Sequence, residues 1–141
     1  MTDQFRFWVS DKVRWSDLDL LGHVNNTVYP VYLENARAVY FKMLSLKDFW
    51  TEETGPVVAN IHIDFKAPLH YGDTLEIGVR SYQLSRSSYQ MGYVVCRNGK
   101  EIIAAEGTTA IVWARFREGR SAPLPEGFKQ RLAEYEGFSL D

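Results

Sequence analysis

One segment limits the fold more than any other. From Val28 to about Leu44, apolar residues occupy two adjacent faces of a helix. Val28, Tyr32, Ala36, Val39 and Met43 form one face, and Tyr29, Leu33, Tyr40 and Leu44 lie beside it. A helix apolar over so much of its circumference must be covered on several sides. Most of the remaining chain repeats with period two, the signature of strands. Phe5–Arg14 alternates Phe5, Phe7 and Val9 with Arg6, Trp8 and Ser10. After the helix, Val57, Ala59, Ile61, Ile63 and Phe65 alternate with Val58, Asn60, His62, Asp64 and Lys66. Leu75, Ile77 and Val79 alternate in the same way through Arg80. Tyr89–Arg97 and Glu101–Trp113 are two further runs, joined across Asn98–Gly99. Asn-Gly between two strand patterns marks a hairpin, because both residues tolerate positive φ.

The order is thus one strand, a loop, a long buried helix and four antiparallel strands, an α+β plan. It predicts a five-stranded antiparallel sheet wrapped around a long central helix. A short C-terminal helix follows, where Phe128, Leu132 and Tyr135 recur at i, i+4 and i+7. Residues 1–141 form a single domain. Asn26 or Thr27 is placed to cap the central helix, Pro30 falls in its first turn, and Glu34 and Arg37 are spaced to pair. Five strands cover such a helix only partly and leave a free sheet edge. Pairing with a second copy is therefore expected, as a homodimer or a tetramer of dimers.

Charge and composition remove several classes. The chain carries 16 Lys and Arg against 18 Asp and Glu, so the basic surplus of a nucleic-acid binder is missing. No apolar run approaches the ~20 residues of a membrane span. The polar, aromatic N-terminus does not read as a signal peptide. The single cysteine, Cys96, excludes a disulfide within one chain and is expected to be buried, so the expected location is the cytoplasm.

The chemistry concentrates between the first strand and the helix, in Arg14–Trp15–Ser16–Asp17–Leu18–Asp19–Leu20–Leu21–Gly22–His23–Val24–Asn25–Asn26. A carboxylate delivered to a helix start meets unpaired N–H groups and the positive end of the helix dipole. From the residues alone, Asp19 is either a reacting carboxylate or a loop acid that caps a turn or pairs with Arg14. Asp17 is expected to shape the loop through a bond to nearby backbone, and Gly22 to allow a tight turn. Two acids and one histidine at this spacing do not make a metal site, and none is assigned.

The string Asp17–Leu18–Asp19, Gly22–His23–Val24–Asn25–Asn26, Tyr29 and Tyr32–Leu33–Glu34–Asn35–Ala36–Arg37 resembles the hotdog-fold thioesterases. More narrowly, it resembles the 4-hydroxybenzoyl-CoA thioesterase-like family. Asp64–Phe65–Lys66–Ala67–Pro68 and Tyr71–Gly72–Asp73 resemble that family's second strand and turn. The resemblance implies an acyl-CoA thioesterase that needs no cofactor. It makes Asp19 the nucleophile or the general base, and gives the oxyanion a backbone N–H where Asn26 stands.

His-Val-Asn-Asn is also similar to the acyl-carrier-protein thioesterases, in which the histidine corresponding to His23 polarises the carbonyl or orients water; from the residue alone, His23 fits equally a hydrogen bond that fixes the loop. Leu21 departs from that pattern, which has asparagine at this position. Leu20 and Leu21 point instead to an apolar tunnel and an aliphatic acyl group. Asn25 either holds the loop or contacts substrate, and Tyr29 is a further expected substrate contact. Arg86, with Ser87 and Ser88, is the expected contact for the CoA nucleotide, and Arg115 and Arg117 are alternatives. His62 reads as a sheet or interface residue and His70 as a turn residue. The competing functions are an acyl-carrier-protein thioesterase, a non-catalytic acyl-thioester-binding domain, and a hydratase or dehydratase on the same fold.

Overall fold

The computed structural model describes residues 2–140. The central helix, α1, spans Tyr29–Met43. Six strands form: β1 (Phe7–Lys12), β2 (Thr54–Phe65), β3 (Thr74–Tyr82), β4 (Ser88–Arg97), β5 (Ile102–Arg115) and β6 (Arg120–Ser121). The second helix, α2, spans Glu126–Glu136. The long strands form one antiparallel sheet in the order β1-β3-β4-β5-β2, and β6 pairs with the end of β5. This sixth, two-residue strand adds to the five expected. Beyond Arg115 the chain turns back at Gly119, where φ is +63°, and returns for two register pairs.

α1 packs on one face of the sheet. Tyr29, Tyr32, Leu33, Ala36 and Tyr40 join Ile77, Val79, Tyr89, Met91, Tyr93, Ile111 and Trp113 in the main core. α2 closes the far end, where the Phe128 ring lies 4.9 Å from Trp113 and 5.5 Å from Tyr89. The expectation of a helix covered on several sides is corrected in the single chain. The buried residues fall on one stripe, and Val31, Val39 and Met43 are exposed. The expected Glu34–Arg37 pair is also replaced: Arg37 turns toward the sheet and donates to the Tyr93 hydroxyl at 3.2 Å.

Two other local readings shift. Phe5 does not continue β1 but covers the opposite face of the sheet with Val94 and Cys96. Glycine at position 78 makes this possible, since a Cβ there would lie 2.9 Å from the Phe5 ring. Cys96 is buried, as expected, and burial pushes its thiol above the usual range. A 3-10 turn, Asn26–Val28, precedes α1, and the side chain that caps it is Asn25 rather than Asn26 or Thr27.

The ladder has two irregularities, and the second shapes the region next to the loop. The β2–β5 register slips between Val58 and Asn60, and the β4–β5 register between Val95 and Cys96. Bulges of this kind bend a strand and increase its twist. At the second, the Ala104 carbonyl accepts from both Lys66 (2.8 Å) and Ala67 (3.1 Å). This pair of hydrogen bonds stops β2 and swings the chain toward Leu69, whose carbonyl accepts the Val24 N–H at 2.9 Å. The end of β2 is thereby fixed beside the loop that enters α1.

Candidate active site

The loop between β1 and α1 is held by its own hydrogen bonds. The Asp19 N–H donates to the His23 carbonyl (2.8 Å), and the Gly22 N–H to the Asp19 carbonyl (3.1 Å). Gly22 sits at φ +81°, and a Cβ on it would meet nothing within 4 Å, so backbone conformation and not crowding selects glycine here. Asp19 Oδ1 accepts the Leu21 N–H at 2.8 Å and the His23 N–H at 3.4 Å. Its Oδ2 has no hydrogen-bond partner among the described residues. One oxygen therefore orients the carboxylate while the other is available.

Asp17 is buried, with 8% of its surface exposed. Its Oδ2 accepts the Arg14 N–H at 2.9 Å and the Tyr32 hydroxyl at 2.7 Å, and the Arg14 guanidinium stands 3.9 Å away. The Asp17 carbonyl accepts the Asn25 N–H at 2.9 Å. Burial, and after it the Asp17 carboxylate, push the Tyr32 hydroxyl well above the usual phenol range. Asp17 is thus a loop anchor, in keeping with the sequence.

At the helix start, the Asn25 side chain accepts from the Thr27 N–H (3.0 Å) and the Thr27 hydroxyl (2.9 Å). Its carbonyl accepts the Val28 N–H at 2.9 Å. The Asn26 N–H has no partner among the described residues, which leaves an open donor where the helix begins.

Asp19, His23, Val24, Asn26 and Tyr29 line one side of an open cavity of about 380 Å³, and Phe65, Lys66, Ala67 and Pro68 line the other. The structure thus brings Asp19, His23, Asn26 and Tyr29 together. The His23 ring packs edge-on against His70, with centroids 5.1 Å apart. His70 is in turn set by Asp73, whose Oδ2 accepts its N–H at 2.9 Å. The sequence marks Phe65, Lys66 and Pro68 only as strand and turn residues. Their role as a cavity wall depends on the Val24–Leu69 bond between distant segments, for which the local sequence carries no signal.

Other expected contacts lie elsewhere in the single chain. Leu21 is 80% exposed and does not line the cavity, and Leu20 is fully exposed beside it. Asn25 holds the loop, as one of its two readings has it, by capping the turn before α1. Arg86 lines a separate cavity of about 540 Å³ with Lys129, Glu126 and Phe138. The carbonyls of Arg86 and Ser87 accept from Leu124 and Trp113, and that of Ser88 from Ser85. Arg115 and Arg117 line a third cavity with Glu118. No cluster of three or more metal-binding side chains occurs among the described residues.

Residues 13–132 match the family model described as the thioesterase-like superfamily. The chain belongs to this superfamily, whose class is thioester hydrolase, and its architecture is the hotdog fold that the resemblance implied. A thioesterase from Thermus thermophilus, solved in complex with coenzyme A and zinc, is 38% identical. It matches 97% of this chain and 99% of its own length with a TM-score of 0.83. The long-chain acyl-CoA thioesterase FadM of Escherichia coli is 27% identical over 127 residues, 87% of this chain and 94% of that protein. An uncharacterized Bacillus subtilis protein, YsmA, is 31% identical over 90 residues, which span 64% of this chain but 60% of that protein.

Proposed function

We propose that this chain hydrolyses an acyl-CoA with an aliphatic acyl group to the free acid and CoA, and that Asp19 is the reacting carboxylate. The observation that carries this reading is the shared cavity: Asp19, whose carboxylate has one uncommitted oxygen, and Asn26, whose backbone N–H is open at a helix start, line the same space. Hydrolysis of a thioester needs a group to attack the carbonyl, or to activate water for it, and a donor for the tetrahedral oxyanion. Asp19 Oδ2 supplies the first and the Asn26 N–H the second. The thiolate is a good leaving group, so a carboxylate of ordinary basicity suffices.

Two routes balance. In one, Asp19 Oδ2 bonds to the acyl carbon, the C–S bond breaks, and CoA leaves as the thiolate. Water then attacks the Asp19 carboxyl carbon of the mixed anhydride, which releases the free acid and restores the carboxylate with one oxygen from water. In the other, Asp19 takes a proton from a water that attacks the same carbon. His23, at the rim of the cavity, orients that water or the carbonyl. Turnover in ¹⁸O-water separates the routes: repeated anhydride cycles place label in the Asp19 carboxylate, and general-base hydrolysis does not.

Lys66 is the cation that shares the cavity with Asp19, and it is assigned to the CoA phosphates together with the more distant Arg86. The working unit is a homodimer. β2 is a free edge that exposes Val57, Ile61 and Phe65, and α1 adds Val31, Val39 and Met43, an apolar surface that a second copy would cover. No helix among the described residues is long and apolar enough to cross a membrane. We place the protein in the cytoplasm, which suits its free, buried Cys96.

The test is thiol release from acyl-CoAs running from acetyl to palmitoyl, with aromatic and acyl-carrier-protein thioesters alongside. Release from aliphatic acyl-CoAs supports the reading. Tight acyl-CoA binding without thiol release would assign the non-catalytic alternative.

A further inference from the structure

We propose that Tyr32 and Asp17 act as a positioning pair that fixes the Asp19 carboxylate relative to the start of α1. The proposal rests on the reading of Asp19 as the reacting group. Asp17 stands two residues before Asp19 and touches three elements at once. Its Oδ2 accepts from Arg14, where the loop leaves β1. Its carbonyl accepts from Asn25, where the loop enters the helix. The same Oδ2 accepts the Tyr32 hydroxyl, which projects from the core face of α1 and is fully buried.

A buried carboxylate is costly unless its oxygens are bonded, and apolar packing fills such a space at lower cost. What a short, directional bond adds is a fixed distance and angle. Here that bond runs from the helix that directly follows the oxyanion donor to the loop carrying the attacking group. Misplacement of reacting groups by about 1 Å costs about 100-fold in rate. Neither residue reaches the cavity, so both act through Asp19 and Asn26, not on the substrate.

Tyr32→Phe removes the bond at nearly constant volume. Tyr40→Phe is the matched control. Tyr40 is a buried tyrosine on the same helix that donates to Glu136 at 2.6 Å, away from the loop. Two readouts are compared, steady-state thiol release and hydrogen exchange at the Leu21 and Asn25 amides. The pair predicts that Tyr32→Phe lowers kcat about 10- to 100-fold with KM within about twofold, and speeds exchange at both amides at least about tenfold. Tyr40→Phe leaves kcat and both amides as in the wild type. Asp17→Asn, which keeps an acceptor for Tyr32, retains more activity than Asp17→Ala. Wild-type kcat in Tyr32→Phe, or equal losses in Tyr32→Phe and Tyr40→Phe, overturns the proposal. If the wild type releases no thiol from any thioester, the thioesterase reading fails, and the exchange rates alone decide the pair.

Discussion

The Tyr29 ring meets the Phe65 ring edge-on, with centroids 4.9 Å apart, and so joins the first turn of α1 to the last residue of β2 along the Asp19 cavity. Tyr29 is buried and Phe65 is 52% exposed, so the pair lays an aromatic stripe along the cavity wall from the core to the surface. Phe65→Ala is expected to lower kcat/KM for a medium-chain acyl-CoA about tenfold, by loss of apolar contact, while acetyl-CoA turnover changes little. Equal losses for short and medium chains would mean that Phe65 does not line the acyl path.

Lys66 is expected to act on the handle of the substrate and not on the acyl group. Lys66→Ala should raise KM for acyl-CoA about tenfold with kcat unchanged, and should leave KM unchanged for the same acyl group on a truncated thiol without phosphates. The wild-type effect should weaken as salt is added. A kcat loss shared by both substrates would move Lys66 into the chemical step.

The free edge of β2 predicts a mass in solution of twice the 16.3 kDa chain. Ile61 is exposed near the middle of that edge strand, where Ile61→Lys should give monomers, since an edge charge blocks strand pairing. Light scattering after size-exclusion chromatography reads both. A wild-type monomer would contradict the dimer.

Stability at high pH follows from the buried tyrosines. Burial is the first cause that raises the hydroxyls of Tyr32, Tyr40 and Tyr89 above their usual value of 10.0. The folded chain holds these protons after the unfolded chain has released them. Stability is therefore fully present below about pH 10 and falls as pH rises beyond it. Thermal melts between about pH 8 and about pH 11.5 should show a steepening loss above about pH 10 that is shallower in Tyr40→Phe. A midpoint that stays flat through this range would contradict the assignment.

The sequence reveals the elements better than it reveals the cavity. Periods of 3.6 and 2 are local, so α1 lies within the range read from Val28 to Leu44, and Asn98 and Gly99 both adopt positive φ at the β4–β5 turn. Asp17 as loop anchor and Gly22 as turn residue also follow from local chemistry. Contacts that depend on distant chain segments do not. Lys66 and His70 reach the site because β2 stops at the Ala104 bulge and Leu69 receives Val24. Leu20 and Leu21 read as the lining of an apolar tunnel. They are exposed because the turn closed by the Gly22 N–H and Asp19 Oδ1 leaves them at its tip. Val39 and Met43 look like core by periodicity, yet the five long strands bury only one stripe of α1.

The proposed reacting group is the Asp19 carboxylate. The direct measurement is kcat for thiol release by wild type and Asp19→Asn on the best aliphatic acyl-CoA, with both proteins shown to be folded by their thermal midpoints. The amide keeps an oxygen for the Leu21 and His23 N–H groups but loses the charge that attacks the carbonyl or takes a proton from water. A fall in kcat of about 10²- to 10⁴-fold in a folded variant is the predicted result. Wild-type turnover by Asp19→Asn would contradict it.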